Sequence, residues 1–154
     1  LIFVLNIAAL VGALLFGYVQ DRIGHKLALA ITLVGWSITC VLAALTTSKE
    51  VFWWAAALAG VCMGSSQSTG RAMAGLFIPS HRLAEFFGLW TFAIRLASIV
   101  GPLGYGLITW FTSGNQRLAI GATAVLFLVG LALLLPINVK RGQGMAQTNA
   151  STPA

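Results

Sequence analysis

The residues able to do chemistry are few, and their positions narrow what that chemistry can be. Among 154 residues there are three carboxylates, Asp21, Glu50 and Glu85, and two histidines, His25 and His81. All five stand at the ends of long uncharged runs or between them, so no run contains the nucleophile and neighbouring base that a hydrolase needs. Cys40 and Cys62 form no CxxC pair and have no histidine at metal-ligand spacing, which leaves zinc and redox chemistry unsupported and predicts no cofactor. What remains inside the runs is recognition chemistry. Asn6 stands alone; Ser65 to Thr69 with Gln67, followed by Arg71, make a polar stretch; Thr91, Arg95 and Ser98 share one helical face at spacings of four and three. Arg95 is the deepest charge. In hydrocarbon an unpaired guanidinium costs at least about 2.5–3.5 kcal/mol, so it requires an anion, which it can hold through two parallel hydrogen bonds. Gln67 and Arg95 flank one turn at similar distances, which predicts that they converge on a shared polar surface. Gly101-Pro102 predicts a kink in the helix carrying Arg95.

The elements that must position these groups follow from composition. The chain is 58% hydrophobic and 8% charged, against roughly 45–50% and 25% for soluble domains. That much apolar surface cannot hide inside a body of this size. Uncharged runs at Leu1–Gln20, Leu27–Ser48, Val51–Gly70, Leu96–Gln116 and Leu118–Val139 are each long enough to cross the roughly 30 Å bilayer core as a helix. The expectation is an all-α, polytopic membrane bundle over residues 1–139, with spans at about 1–20, 27–47, 51–79, 86–111 and 118–139. Pro79 favours the third break, and Ser113-Gly114-Asn115 suits the reversal before the fifth span. Residues 140–154 are small and polar and predict a disordered tail.

Arg22, Lys26, Arg82, Lys140 and Arg141 fall on one side, against Lys49 and Arg117 on the other. By the positive-inside rule the former side and the tail are cytoplasmic. Trp53, Trp54 and Trp110 would then mark the outer interface and Trp90 the inner one. Scattered over many loops, the cations do not form a nucleic-acid stripe; the partners expected are membrane lipid and a small solute. Small residues four apart, Ala8/Gly12, Ala13/Gly17, Gly60/Gly64 and Ala97/Gly101, predict close helix packing. The chain opens inside an apolar run without an initiator Met, which predicts preceding helices of the same protein.

The first turn reads GYVQDRIGHK. Gly17 ends a span, Asp21 and Arg22 occupy the turn, Gly24 permits a tight reversal, and Lys26 opens the next span. Asp21 is expected at the favourable amino end of the second helix, and Arg22 and Lys26 beside acids or carbonyl ends of neighbouring helices. This stretch resembles the signature loop of the major facilitator superfamily, G-x-x-x-D-R-x-G-x-[RK], with all five fixed positions present. The resemblance implies helices eight to twelve of a twelve-helix transporter and a role for Gly17, Asp21, Arg22, Gly24 and Lys26 in conformational switching. GSSQSTGR at 64–71, AEFFGLW at 84–90 and RLASIVGPLGYG at 95–106 are similar to the vacuole-effluxer branch, bacterial permeases related to fungal vacuolar amino-acid effluxers. Gly64, Gln67 and Arg71 match its GGxQAxSRS pattern, whereas Ser65 and Gly70 depart from it.

Together these readings predict a multi-pass protein of a bacterial inner membrane that moves a small polar solute, amino acids among the candidates, by alternating access. The candidate solute cavity is Asn6, Gln67, Arg71, Thr91, Arg95 and Ser98. The competing expectation is a membrane enzyme or a non-transporting scaffold.

Overall fold

A computed structural model describes residues 1–78, 82–139, 141, 142 and 144. Five long helices follow in order: α1 Ile2–Ile23, α2 His25–Leu45, α3 Lys49–Leu76, α4 Leu83–Phe111 and α5 Gln116–Leu134. Four of them, α1, α2, α4 and α5, are long and apolar enough to cross a membrane by length and composition. α3 is the exception, because Ser65 to Arg71 dilutes its apolar content. It is also the helix that lies between two others, packed on α1 along one side and on α2 along another, with α2 continuing the layer onto α5.

The small-residue seam explains that packing. A Cβ added at Gly12 would overlap the Val61 backbone, and one at Gly64 would overlap the Ala9 backbone; at Gly60 it would stand 2.6 Å from the Leu5 carbonyl oxygen. Glycine at these three positions lets α1 and α3 touch backbone to backbone. Gly17 and Gly101, by contrast, have nothing within 4 Å of such a Cβ, so among the described residues they make no close helix contact. The face of α1 that meets α3 carries Leu5, Ala8, Ala9 and Gly12, and Gly17 has rotated away from it. Elsewhere, the Trp36 ring of α2 stacks on Phe127 of α5 with centroids 5.1 Å apart.

The buried core is made of small side chains such as Ala28, Ala55, Cys62 and Ala119, while large apolar residues such as Phe3, Leu14, Leu45 and Leu133 face outward. This inversion suits a bundle solvated by lipid. Hydroxyls within α2 donate to carbonyls of their own helix, Thr32 to Leu29 (2.8 Å), Ser37 to Leu33 (3.0 Å) and Thr39 to Gly35 (2.9 Å), which lets them be buried without partners from other helices.

The boundaries differ from expectation at several ends. α1 runs on through Asp21 and Arg22 to Ile23, and the whole reversal is made by Gly24, whose φ of 88° is a conformation open to glycine. α3 stops at Leu76 rather than at Pro79, which lies outside the described residues with Ser80 and His81. The last reversal behaves as its residues predict: Ser113 and Gly114 take positive φ, and the Asn115 side chain accepts from the Leu118 amide at 3.2 Å to cap α5. Past α5, Asn138 caps a short turn by accepting from the Arg141 amide (3.2 Å). Lys140 and residues 145–154 lie outside the described residues.

Candidate functional site

Two groups of residues matter, one at the helix junction and one on α3. At the junction, Lys26 reaches across the bundle. Its Nζ donates to the Leu135 carbonyl (2.6 Å) and the Ile137 carbonyl (2.7 Å), where α5 ends with unpaired carbonyls and the negative end of its dipole. The expected pairing with a neighbouring helix's carbonyl end is therefore met by α5. Lys26→Met should lower the stability of the intact protein by about 1 kcal/mol, read as a lower melting temperature in detergent, with Lys26→Arg close to the parent.

Arg22 turns back on its own helix, donating to the Tyr18 hydroxyl and stacking over that ring at 4.5 Å. Asp21 departs from expectation. Because α1 extends to Ile23, Asp21 sits in the last turn of α1, and the first turn of α2 contains no acid. A carboxylate there faces the negative end of its own helix. It is exposed, and among the described residues it has no hydrogen-bond or ion-pair partner. A stabilising cation or helix amino end would have to come from outside the described residues.

On α3, Gln67 and Arg71 stand one turn apart. Together with Ala9, Ala13, Met63, Gly64 and Ser68 they line a cavity of about 320 Å³, and with Ser66, Trp90 and Ile94 a second of about 310 Å³. The α3 backbone supports them: Ser65 is fully buried and donates to the Cys62 carbonyl (3.1 Å), and Ser66 donates to Met63 (3.2 Å). Gln67 and Arg71 retain free donors, with no hydrogen-bond or ion-pair partner among the described residues. The Trp90 ring lies against Gly70, where an added Cβ would stand 3.3 Å from Cη2 and the ring would have to give by a few tenths of an ångström.

The α4 trio does not join them. Thr91 donates to the Phe87 carbonyl (2.8 Å), Ser98 donates to the Arg95 carbonyl (2.7 Å), and all three residues are exposed on α4. The α4 residues that face Gln67 and Arg71 are Trp90 and Ile94. They form their own stripe four residues apart, about 100° around the helix from the Thr91–Arg95 stripe. Asn6 likewise spends its amide on its own helix, donating to the Ile2 carbonyl at 3.0 Å. Gly101 and Pro102 lie inside an unbroken α4, where the proline removes one amide donor.

Trp90 is the residue that spacing alone did not reveal as part of the site. It forms part of the wall of both the polar cavity and a larger apolar one of about 450 Å³ that includes Met73, Phe77, Phe86 and Leu89. Its indole Nε1 and the Thr69 hydroxyl are buried without a hydrogen-bond partner among the described residues.

The description of the vacuole effluxer Atg22-like family matches residues 1–147. The chain belongs to that family. Among its relatives, the uncharacterized MFS-type transporter YxiO of Bacillus subtilis is 26% identical over 153 residues, covering 99% of this chain and 36% of YxiO. Autophagy-related protein 22 of Candida glabrata is 32% identical over 88 residues, 57% of this chain and 16% of that protein. The inward-open xylose transporter XylE of E. coli superposes with a TM-score of 0.80 at 17% identity, covering 97% of this chain and 41% of XylE. The Atg22-like chain thus has the major facilitator fold and is an integral, multi-pass membrane protein, and it spans about a third of the length of YxiO.

Proposed function

We propose that the protein containing this chain is a secondary transporter of a small polar solute, amino acids first among them, working by alternating access in a bacterial inner membrane. This chain contributes five helices, and further helices of the same protein complete the cavity. The observation that carries this reading is the pair of polar side chains, Gln67 and Arg71, without hydrogen-bond or ion-pair partners among the described residues, facing a concave space on a helix packed between two others. Amide and guanidinium groups without internal partners are costly in a membrane and are retained where a solute or another helix needs them. Arg71 suits a carboxylate, and Gln67 can both donate and accept. Five cations against two support a cytoplasmic position for the Gly24 turn and for the C-terminus.

The signature loop is assigned to switching, because Asp21 has no partner among the described residues and can gain one when another part of the protein approaches. The test is accessibility. In an intact protein lacking Cys40 and Cys62, Gln67→Cys should react with an impermeant thiol reagent from either side of the membrane, and added Asp21→Ala should shift the balance between sides. A scaffold would label from one side alone and ignore Asp21→Ala.

A further inference from the structure

At the opposite end of the bundle from Lys26, Thr46, Ser48, Lys49, Phe52, Trp53 and Arg117 contribute to a concavity of about 280 Å³. Its electrostatics are unusual. Lys49 is the first residue of α3 and Arg117 the second of α5, so each cation sits at the positive end of a helix dipole, where acids are favoured and cations are not. The two then face the same space. Arg117 has one long hydrogen bond, to the Thr46 carbonyl at 3.5 Å. Lys49 has no hydrogen-bond or ion-pair partner among the described residues. Glu50 is the adjacent carboxylate, but it is not part of the cavity wall, and the one ion pair among the described residues is Arg82–Glu85. Ser48 precedes α3 without capping its amides through the side chain, in contrast to Asn115 at α5. Two like charges on two positive helix ends form an arrangement that an anion would relieve.

We propose that this concavity binds the phosphodiester headgroup of an anionic phospholipid from the leaflet at that end. The surroundings favour lipid over a soluble anion. Trp53 belongs to the aromatic class enriched at headgroup level, and Phe52 with the adjoining Leu45 and Trp54, the latter two 74% and 77% exposed, offers apolar surface for the acyl chains. The site lies on the ends of α2, α3 and α5, apart from the Gln67–Arg71 cavity, and does not depend on the transport reading.

The test is native mass spectrometry of the intact protein in micelles doped with phosphatidylglycerol or phosphatidylcholine. The parent should retain phosphatidylglycerol preferentially. Lys49→Ala and Arg117→Ala should each weaken that retention about fivefold, and the pair about thirtyfold. Lys49→Arg with Arg117→Lys should keep it. Lys49→Gln with Arg117→Gln serves as the neutral pair if the alanine pair fails to fold. A folded neutral pair that retains phosphatidylglycerol as the parent does would overturn the proposal. So would full displacement of the lipid by millimolar inorganic phosphate, which would make this a soluble-anion site.

Discussion

Gly64→Ala is expected to cost the intact protein at least about 3 kcal/mol and to leave little folded material in detergent by fluorescence-detected size exclusion. The added methyl meets backbone, the Ala9 carbonyl and the Ala13 amide nitrogen, and backbone cannot rotate aside as a side chain would. α1 and α3 would have to separate along the whole Leu5-to-Gly12 seam, losing the contact that holds the polar face of α3 in place. Gly121→Ala on α5 is the matched control, since nothing lies within 4 Å of a Cβ there. That change should be neutral or should stabilise by up to about 1 kcal/mol through helix propensity. Equal behaviour of the two variants would remove the seam from the account.

The second large effect concerns charge. Arg71→Ala should weaken solute binding by about tenfold to a hundredfold, the range for losing hydrogen bonds to a charged group, while the protein still folds, since among the described residues Arg71 makes no hydrogen bond or ion pair that its loss would leave open. Gln67→Ala should be milder, because an uncharged hydrogen bond is worth less. Arg95→Ala is the informative comparison. Arg95 does not share the Gln67–Arg71 cavities, so its replacement should change binding much less than that of Arg71. Solute-induced shifts in melting temperature measure all three.

The five helices were legible because most charges of a membrane chain fall where it meets water; Lys49, Arg82 and Arg117 mark those places as plainly as any turn residue, with Arg71 and Arg95 the exceptions inside helices. The ends were less legible. Nothing in Asp21-Arg22-Ile23 forbids helix, and the reversal needs a single glycine with positive φ, so α1 kept the two charges expected in a loop. Gly12, Gly60 and Gly64 could be read from their spacing; Gly17 has similar spacing and does not pack, because periodicity fixes which residues share a stripe and leaves the rotation of that stripe against its neighbours to the packing. The same limit separated Arg95 from Gln67. Depth along the helix was readable, azimuth was not, and the 100° between Ile94 and Arg95 decides which of them faces α3. The place of Trp90 on the cavity wall was illegible for a related reason: an aromatic ring near a helix end suits a headgroup belt, and only the fold brings Gly70 beneath it.

Counterflow in proteoliposomes tests the central claim most directly. With the intact protein reconstituted and the lumen loaded with an unlabelled amino-acid mixture, external labelled amino acids should accumulate transiently and saturably. Arg71→Ala, incorporated in equal amount, should reduce that accumulation by at least about tenfold at subsaturating solute. Absence of counterflow from the parent would contradict amino-acid transport, and undiminished counterflow in Arg71→Ala would contradict a solute site on α3.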